Sequence, residues 1–592
     1  RGTRVRALFE RLTQGPVAYA VLDEALPGWR DSAAALRQRE FVETVALSTT
    51  LPHAARGDGP TLTAEQQAAI DAVAAAFGGF RAFVLEGVTG SGKTEVYLGL
   101  IERVLAAGGQ ALMLVPEIGL TPQTLRRFRE RFGPRVLALH SGLAEGERSR
   151  AWLAAARGDA GVILGTRSAI FAPLPRLAFI AVDEEHDASY KQQDGFRYSA
   201  RDLALVRARA LGAPVVLGSA TPSLETLANV DAGRYARVRL SARPGTARAP
   251  GLRIVDERRV KLVHGLSPET VAALRDCIAR GEQALVFRNR RGYAPVLTCH
   301  DCGWHADCER CAKPMTLHRA RGRLVCHHCA AERAVPQQCP DCGAPTLAPH
   351  GHGTERLEEA LVDLFPHVPV VRIDRETTRR RGALEALFDS LGPDRPGIYV
   401  GTQMLAKGHD LPNLTLVAIL GVDDGLYSAD FRASERLGQL VVQVSGRAGR
   451  ASKPGTVLLQ THHPDNALLG TLLRGGYRAL AANLLAERRD VPWPPYAHLA
   501  LLRAEAKQLQ HVEIFLREAA SVAGAPDGVD VNPPMPAPMP LRAGMHRAQL
   551  LLSAVERARL QGFLPAWIDA LRALPSARAV RWSVDVDPID LY

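Results

Sequence analysis

Long apolar runs are absent from this sequence, and none approaches the ~18 consecutive apolar residues of a membrane span. The N-terminus, RGTRVRALFE, is basic but lacks the apolar stretch of a secretory signal. It also lacks a Met, so we expect residue 1 to be a trimmed start. These absences exclude a membrane-spanning or secreted protein from the expected classes and favour a cytoplasmic one.

The composition is that of an ordinary globular protein with a basic balance. The chain has 592 residues, 46% of them hydrophobic, with 73 Lys and Arg against 62 Asp and Glu. A length of ~100–200 residues per domain predicts several domains rather than one core. The net charge of +11 is compatible with a polyanionic partner, although many basic proteins bind no nucleic acid.

The pattern of apolar segments predicts an α/β protein. Two series of short apolar strands alternate with helical segments, which is typical of parallel sheets covered by helices. A loop at 240–251 separates the two series, and a cysteine-rich window interrupts the second. Near the N-terminus, 4–12 and 32–40 have helical spacing and 41–47 reads extended. The expected segments are a small N-terminal unit at 1–51, a linker at 52–61, a first lobe at 62–240, a second lobe at 241–298 and 343–478, a cysteine-rich insertion at 299–342, and a C-terminal domain at 479–592.

A glycine-rich loop, GVTGSGKT, follows an apolar strand and precedes a helical run. This is the order that a Walker A loop requires, because its backbone N–H groups turn inward around phosphate oxygens at a helix N-terminus. Lys93 would reach the β and γ phosphates of ATP, and Thr94 would hold Mg²⁺. The alternative is a glycine-rich turn without a ligand. The candidate nucleotide-binding residues here are Gly87, Thr89, Gly90, Ser91, Gly92, Lys93 and Thr94.

Two further patterns extend this candidate site. Asp183 and Glu184, in DEEH, directly follow an apolar strand, where Asp183 would orient Mg²⁺ and Glu184 the attacking water. In the second lobe, QVSGRAGR offers Arg447 and Arg450 as cations that stabilise γ-phosphate charge. A solvated acidic turn and two surface arginines are the alternatives. Without the second-lobe arginines, a kinase, GTPase or transporter ATPase would fit equally well.

Eight of the nine cysteines form four CxxC pairs. Two such pairs complete a tetrahedral Cys₄ site, so eight ligands without an open position predict two structural Zn²⁺ ions. Disulfides or an iron–sulfur cluster are the alternatives, and the spacing leaves the pairing open. Cys277 lies apart in a helical run and is expected in the core. The eight candidate ligands are Cys299, Cys302, Cys308, Cys311, Cys326, Cys329, Cys339 and Cys342.

The combined motifs resemble the superfamily 2 helicases and, within them, the PriA family of primosomal replication-restart helicases. The segments that carry the resemblance are VLEGVTGSGKTEVYL, MLVPEIGLTPQT, LHSGL, ILGTRSAIF, VDEEHDASYKQQDGFRYSARDLA, LGSATPSLET, GTQMLAKGHD and QVSGRAGRA, in that order, with WSVDVDP near the end. The resemblance implies two RecA-like lobes, a zinc insertion in the second lobe, a partial winged helix before them and a C-terminal α+β domain after them.

The resemblance also implies roles for individual residues. Gln66 would read the adenine, and Asp410 would couple nucleotide state to DNA. Thr166 and Arg167 would hold the DNA backbone. Residues 190–198, here called the aromatic loop, would sense single-stranded DNA through Phe196, Arg197 and Tyr198, although packing on the first lobe is the alternative for these rings. The implied zinc sites are nested, with Cys299, Cys302, Cys339 and Cys342 on one ion and Cys308, Cys311, Cys326 and Cys329 on the other.

The implied activity is ATP-dependent 3′-to-5′ unwinding of DNA at stalled replication forks, followed by primosome assembly. The expected partners are single-stranded and forked DNA, other primosome proteins and single-stranded DNA-binding protein, and we expect a nucleoid-associated monomer. The resemblance also implies an N-terminal domain of about a hundred residues that binds 3′ ends and precedes 1–51, and we expect this chain to lack it and the fork-end recognition that it gives. An assembly scaffold that does not unwind and an RNA helicase are the rival hypotheses.

Overall fold

The chain is described by a computed structural model with two compact units, 1–53 and 54–592. The residues that it describes are 3–13, 15, 17, 19–44, 60–116, 122–242, 250–258, 260–288, 296–299, 301–302, 304, 306–318, 322–326, 331–345, 347–350, 354–374, 377–378, 383–392, 395–402, 411, 413–426, 430–449 and 453–591.

The N-terminal unit is helical in its described part. Its helices span Thr3–Leu12, Tyr19–Ala25 and Trp29–Arg37, and the second of them was not predicted. Buried apolar side chains from all three form its core. The predicted extended segment 41–47 has no regular structure at 41–44, and its remainder lies outside the described residues. The winged-helix assignment therefore stays a prediction.

The first lobe is a seven-stranded parallel sheet with helices around it. Apart from the edge strand Ala236–Leu240, its strands are near-continuous apolar runs because helices cover both faces. In spatial order the strands are Val136–Leu139, Val162–Gly165, Gln110–Leu114, Leu177–Asp183, Val215–Ser219, Ala82–Gly87 and Ala236–Leu240. The helices are Ala64–Ala74, Lys93–Ala106, Pro122–Phe132, Glu145–Arg157, Ala200–Leu211 and Leu224–Asp231.

The second lobe is a six-stranded parallel sheet. Its edge strand Gly251–Asp256 begins where a loop was predicted. In spatial order the strands are Val370–Ile373, Gly397–Gly401, Gln283–Arg288, Leu414–Leu420, Thr456–Thr461 and Gly251–Asp256. The helices are Pro268–Ala279, Thr354–Leu364, Ala383–Leu391, Asp423–Leu426, Ala433–Ser445 and Ala467–Asp490.

The cysteine-rich insertion leaves the second lobe after Gln283–Arg288 and returns to it at Thr354–Leu364. Its strands Val296–Cys299 and Leu347–His350 pair antiparallel, so the module closes beyond the predicted end at 342. In spatial order its five-stranded sheet is Glu332–Ala334, Arg323–Val325, Thr316–His318, Val296–Cys299 and Leu347–His350, and a separate hairpin joins Asp307–Cys308 to Cys311–Pro314.

The C-terminal domain is an antiparallel sheet packed against two helices, as the α+β prediction requires. Within the part of the chain that the structure describes, the Pro-rich stretch forms a strand that pairs on one side only, which is where proline is tolerated. The strands are His498–Ala506, Asp530–Val531, Met535–Arg542, Met545–Ala554 and Arg581–Val586, and the helices are Leu509–Ala523 and Arg557–Ala573. Among the helices of the described residues, none has both the length and the apolar character that crossing a membrane requires.

Candidate nucleotide site and metal centre

The glycine-rich loop forms a compact turn between the strand Ala82–Gly87 and the helix that begins at Lys93. Gly90 and Gly92 have φ angles of 82° and 80°, which favour glycine. A methyl group on Gly87 would lie 2.5 Å from the Ser91 hydroxyl oxygen and 2.8 Å from Cγ of Lys93. Only glycine therefore permits this close fold, which aims the helix N-terminus into the turn and suits a phosphate group.

The polar groups inside the turn suit an anionic ligand. The Lys93 ammonium donates to the Gly87 carbonyl at 3.2 Å and lies 4.0 Å from a Glu184 carboxylate oxygen. The Ser91 hydroxyl oxygen is buried and has no hydrogen-bond partner among the described residues. A triphosphate in this turn would satisfy both the ammonium and the hydroxyl.

Gln66 forms hydrogen bonds that support the glycine-rich loop. Its side-chain oxygen accepts from the Thr63 N–H at 2.9 Å, and its amide donates to the Ser91 carbonyl at 3.0 Å. The residue is 3% exposed. This amide thus fixes the helix Ala64–Ala74 to the glycine-rich loop, and its role in reading adenine remains a prediction.

Asp183 and Glu184 lie at the carboxyl end of the central strand Leu177–Asp183. The Tyr97 hydroxyl donates to Oδ1 of Asp183 at 3.0 Å, and the Tyr190 hydroxyl donates to the Asp183 carbonyl at 2.6 Å. Burial, together with the neighbouring Glu184 charge, raises the pKa of Asp183 to about 6. A cation bound there would favour the ionised carboxylate, so the arrangement fits Mg²⁺.

The second lobe reaches this acidic pair through Gln443. The Gln443 amide donates to Glu184 at 3.3 Å and to Nε2 of His186 at 2.6 Å. The Nδ1 atom of His186 lies 2.7 Å from the Ser219 hydroxyl oxygen of the first lobe. Sequence reasoning gave no role to His186 or Ser219, although both lie inside the recognised motifs. They connect the hydrolytic site to both lobes.

Gly446 brings the second lobe onto the glycine-rich loop. A methyl group on Gly446 would lie 2.5 Å from three side-chain atoms of Thr89. Arg447 directly follows Gly446 and is described, whereas Arg450 and Asp410 lie outside the described residues. The candidate arginine motif and the candidate phosphate loop, distant in sequence, are therefore in contact.

This contact gives a steric prediction. We expect Gly446→Ala to lower the rate of ATP hydrolysis by about tenfold or more, because the added methyl group forces the second lobe away from Thr89 by a fraction of an ångström. Steady-state phosphate release measures the effect. Adding Thr89→Gly to the variant removes all three clashing atoms and should restore part of the rate. Equal activity of Gly446→Ala and the unmodified protein would contradict the contact.

A buried polar network joins the lobes beside the site. Glu185, 1% exposed, accepts from the Ser223 N–H at 2.7 Å and from the Thr226 hydroxyl at 3.0 Å. Arg432 of the second lobe pairs with Glu225 at 2.6 Å. Although burial acts in the opposite direction, the Arg432 charge lowers the pKa of Glu225 to about 2. The ion pair therefore spans the two lobes with both groups charged at neutral pH.

The predicted DNA-contacting residues divide into two environments. Thr166 is 4% exposed, and the Arg167 guanidinium donates to the Ser189 and Lys191 carbonyls at 3.1 and 3.0 Å. Phe196 is 77% exposed. The Tyr198 ring lies 5.8 Å from the Phe196 ring, measured between centroids, and Arg197 is partly buried. Arg167 thus holds the base of the aromatic loop, while the Phe196 ring is presented to solvent.

Four cysteine thiols of the insertion converge. The Sγ atoms of Cys299 and Cys342 lie 3.6 Å apart, those of Cys302 and Cys339 lie 3.5 Å apart, and all four fall within 4.8 Å of one another. Tetrahedral Zn–S bonds of about 2.3 Å place sulfurs about 3.8 Å apart, so this set fits one Zn²⁺ ion. The predicted location of Cys277 in the core is confirmed.

The second predicted zinc set is described only in part. Cys308 and Cys326 are 5% and 0% exposed. The side chain of Cys311 and the whole of Cys329 lie outside the described residues. The second ion therefore stays a prediction.

The convergent thiols predict a measurable zinc loss. We expect Cys339→Ser combined with Cys342→Ser to remove one zinc equivalent per chain and to lower the melting temperature of the insertion, because half of the ligand set is gone. Elemental analysis of the purified protein measures the zinc. Cys277→Ala, which alters a thiol outside the set, is the matched control and should keep all zinc. Unchanged zinc in the double variant would contradict the assignment.

Two parallel-sheet lobes meet over a candidate phosphate-binding loop, and this arrangement fits the class of ATP-dependent helicases. A family model described as DEAD/DEAH box helicase matches residues 63–230. The model of the PriA DNA helicase Cys-rich region matches residues 308–333, and that of the Primosomal protein N C-terminal domain matches residues 489–589. The three matches fall on the first lobe, the insertion and the C-terminal domain.

Whole-chain relatives narrow this class to one family. The replication restart protein PriA of Haemophilus influenzae is 46% identical over 568 residues, which is 94% of this chain and 78% of that protein. PriA of Bacillus subtilis is 39% identical, over 89% of this chain and 66% of that protein. The chain belongs to the PriA family of replication restart helicases. A solved structure of RecG bound to a three-way DNA junction matches more distantly, with 16% identity, a TM-score of 0.43, and 73% of this chain and 50% of that one covered.

Proposed function

We propose that this protein uses ATP hydrolysis to move 3′ to 5′ along DNA, recognises stalled or abandoned replication forks, unwinds the lagging-strand arm and initiates primosome assembly. The observation that supports this most strongly is the contact of the second lobe with the hydrolytic site. Gln443 reaches Glu184, and Gly446 meets Thr89, so nucleotide chemistry and lobe position depend on each other. Such dependence lets a chemical step drive movement.

The geometry of the loop supports the proposed roles of the first-lobe residues, and membership of the family supports those of the second-lobe arginines. The loop N–H groups and Lys93 bind the phosphates, and Glu184 orients the attacking water and accepts its proton. Arg447 and Arg450 supply positive charge from the second lobe to the transition state. Mg²⁺, held by Thr94 and Asp183, would neutralise charge on the phosphate oxygens when bound.

Single-stranded DNA is the proposed trigger of hydrolysis. An exposed aromatic ring such as Phe196 suits base stacking, and the partly buried Arg197 beside it suits phosphate contact. At the base of the same loop, the Tyr190 hydroxyl donates to the Asp183 carbonyl. Base stacking at Phe196 is therefore connected through a few residues to Asp183, the candidate Mg²⁺ ligand.

Two Zn²⁺ ions are proposed to hold the insertion. By membership of the family, the proposed partners are forked DNA, other primosome proteins and single-stranded DNA-binding protein. The direction of movement is tested with partial duplexes that carry a single-stranded tail of one polarity. Unwinding that requires a 3′ tail supports the proposal, whereas unwinding that requires a 5′ tail contradicts the direction. ATP hydrolysis without unwinding of any substrate, including forks, would favour a scaffold.

The aromatic loop carries its own prediction. We expect Phe196→Ala to raise the concentration of single-stranded DNA that half-activates hydrolysis by about tenfold, because one stacking interaction of roughly 1–3 kcal/mol is lost. Phosphate release measured against oligonucleotide concentration gives this value. Trp152→Ala, which removes a 39% exposed ring elsewhere on the first lobe, is the matched control. If the two variants depended equally on DNA concentration, the aromatic loop would not be the part that senses single-stranded DNA.

A further inference from the structure

Lys191, at the base of the aromatic loop, contacts the C-terminal domain. Its ammonium donates to the Val586 carbonyl at 2.6 Å and to the Asp587 carbonyl at 3.2 Å, and lies 2.9 Å from Oδ1 of Asp585. The Lys191 side chain is 7% exposed. A lysine is rarely this buried unless its charge is paired. The three contacts supply that pairing and hold the side chain in one position.

The carboxylate that Lys191 contacts belongs to a strand of the C-terminal sheet. Asp585 is 2% exposed and lies on the strand Arg581–Val586, opposite Leu501. Arg503, also on the neighbouring strand, pairs with Asp585 at 3.2 Å and donates to the Asp590 carbonyl at 3.2 Å. The carboxylate that meets Lys191 is thus held in place by the C-terminal domain itself.

The aromatic loop is held at its base and open at its tip. The Gln192 N–H donates to the Tyr198 carbonyl at 2.8 Å, which makes the base a narrow hairpin. Gln193 touches Asp590 at 3.5 Å. Beyond these contacts the Phe196 ring is exposed. The tip of the loop is therefore exposed, while its base is bonded to the C-terminal domain.

The same base is bonded to the hydrolytic strand. Tyr190, directly before Lys191, is 2% exposed and donates to the Asp183 carbonyl. Asp585, Lys191, Tyr190 and Asp183 consequently form one continuous series of contacts from the C-terminal domain to the candidate Mg²⁺ ligand.

We propose that Asp585 and Lys191 are positioning residues through which the C-terminal domain sets the aromatic loop relative to Asp183, and that this setting is required for DNA to raise the rate of ATP hydrolysis. The inference rests on the proposed function of the loop. It assigns to the C-terminal domain a part in regulating the motor, in addition to any contact of its own with DNA or partners.

Asp585→Asn in the full chain tests this inference. Since Asn keeps the shape and Arg503 remains, we expect the rate without DNA to be unchanged, while the maximal DNA-stimulated rate falls by about fivefold. The DNA concentration for half-activation should stay within about twofold, because the tip is intact. A pair that merely joined two domains would instead lower the melting temperature and leave the ratio of stimulated to unstimulated rates unchanged.

The matched control is Arg559→Met. It breaks an ion pair of 2.7 Å to Asp527, which lies in the same domain but involves no partner of Lys191, and it should leave DNA stimulation intact. Lys191→Met and the double variant Lys191→Met/Asp585→Asn complete a double-mutant cycle. If the two residues act through each other, the double variant should be no worse than the more impaired single variant.

Full DNA stimulation in folded Asp585→Asn, or additive losses in the cycle, would overturn the inference. Additive losses would mean that Lys191 acts on DNA independently of Asp585. The unmodified protein and Phe196→Ala separate this failure from failure of the proposed function. If DNA stimulates the unmodified protein, and Phe196→Ala weakens that effect while Asp585→Asn does not, only the role of the C-terminal domain is wrong.

Discussion

Glu184→Gln is expected to lower ATP turnover by about 10²- to 10⁴-fold, the usual contribution of a positioned general base. The Glu184 carboxylate lies 4.0 Å from the Lys93 ammonium and accepts from the Gln443 amide at 3.3 Å. Its φ angle of 46° is uncommon for a residue with a side chain, so the backbone accepts some strain to direct the carboxylate into the site. Glutamine keeps the shape but cannot take a proton. Phosphate release measures turnover, and a fluorescent ATP analogue should show that binding persists.

The control for this variant is Glu102→Gln. Glu102 belongs to the helix Lys93–Ala106, which begins at the phosphate loop, but it pairs with Arg131 at 3.0 Å on the outside of the lobe. We expect its replacement to leave turnover unchanged. If Glu184→Gln retained more than about a tenth of the unmodified rate, Glu184 would not be the general base.

Arg447→Ala is expected to lower ATP turnover by about 10³-fold or more, as the loss of an arginine that stabilises γ-phosphate charge does in other nucleotide hydrolases. Arg447 follows Gly446, whose backbone packs against Thr89 of the phosphate loop, so its position is set by the contact between the lobes. The variant should still bind ATP, since the loop and Lys93 are unchanged. Single-turnover hydrolysis at saturating ATP separates the two effects.

Arg478→Ala is the matched control for Arg447→Ala. Arg478 is an exposed arginine of the same lobe, on the helix Ala467–Asp490. Its loss removes the same charge from the lobe and should have little effect on turnover. Equal rates for the two variants would show that Arg447 contributes only general charge.

The sequence indicated the central strands of both lobes because those strands are buried on both faces. The central strands Ala82–Gly87 and Leu414–Leu420 are nearly uniform apolar runs. The two missed strands, Ala236–Leu240 and Gly251–Asp256, lie at sheet edges and carry arginines between their apolar residues. A half-exposed strand gives a weaker signal, so neither strand was predicted, and the predicted loop at 240–251 overlaps each of them by one residue only.

The candidate site likewise has parts that the sequence predicts and parts that it does not. The glycine-rich loop and DEEH are local patterns whose spacing specifies a shape, and the structure places them at the carboxyl ends of the two strands that flank Val215–Ser219. The contacts of Gly446 with Thr89 and of Lys191 with Asp585 join segments far apart in sequence. Nothing in the sequence around Gly446 or Lys191 indicates these partners, so the sequence alone could not predict either contact.

The most direct test of the whole account is ATP hydrolysis by the intact chain without nucleic acid and with single-stranded DNA, RNA or forked DNA, paired with strand separation on the fork. Lys93→Ala serves as the inactive control. The account predicts strong stimulation by DNA and unwinding of the fork, both lost in Lys93→Ala. Stimulation by RNA alone, or fork unwinding that persists in Lys93→Ala, would contradict an ATP-driven DNA helicase.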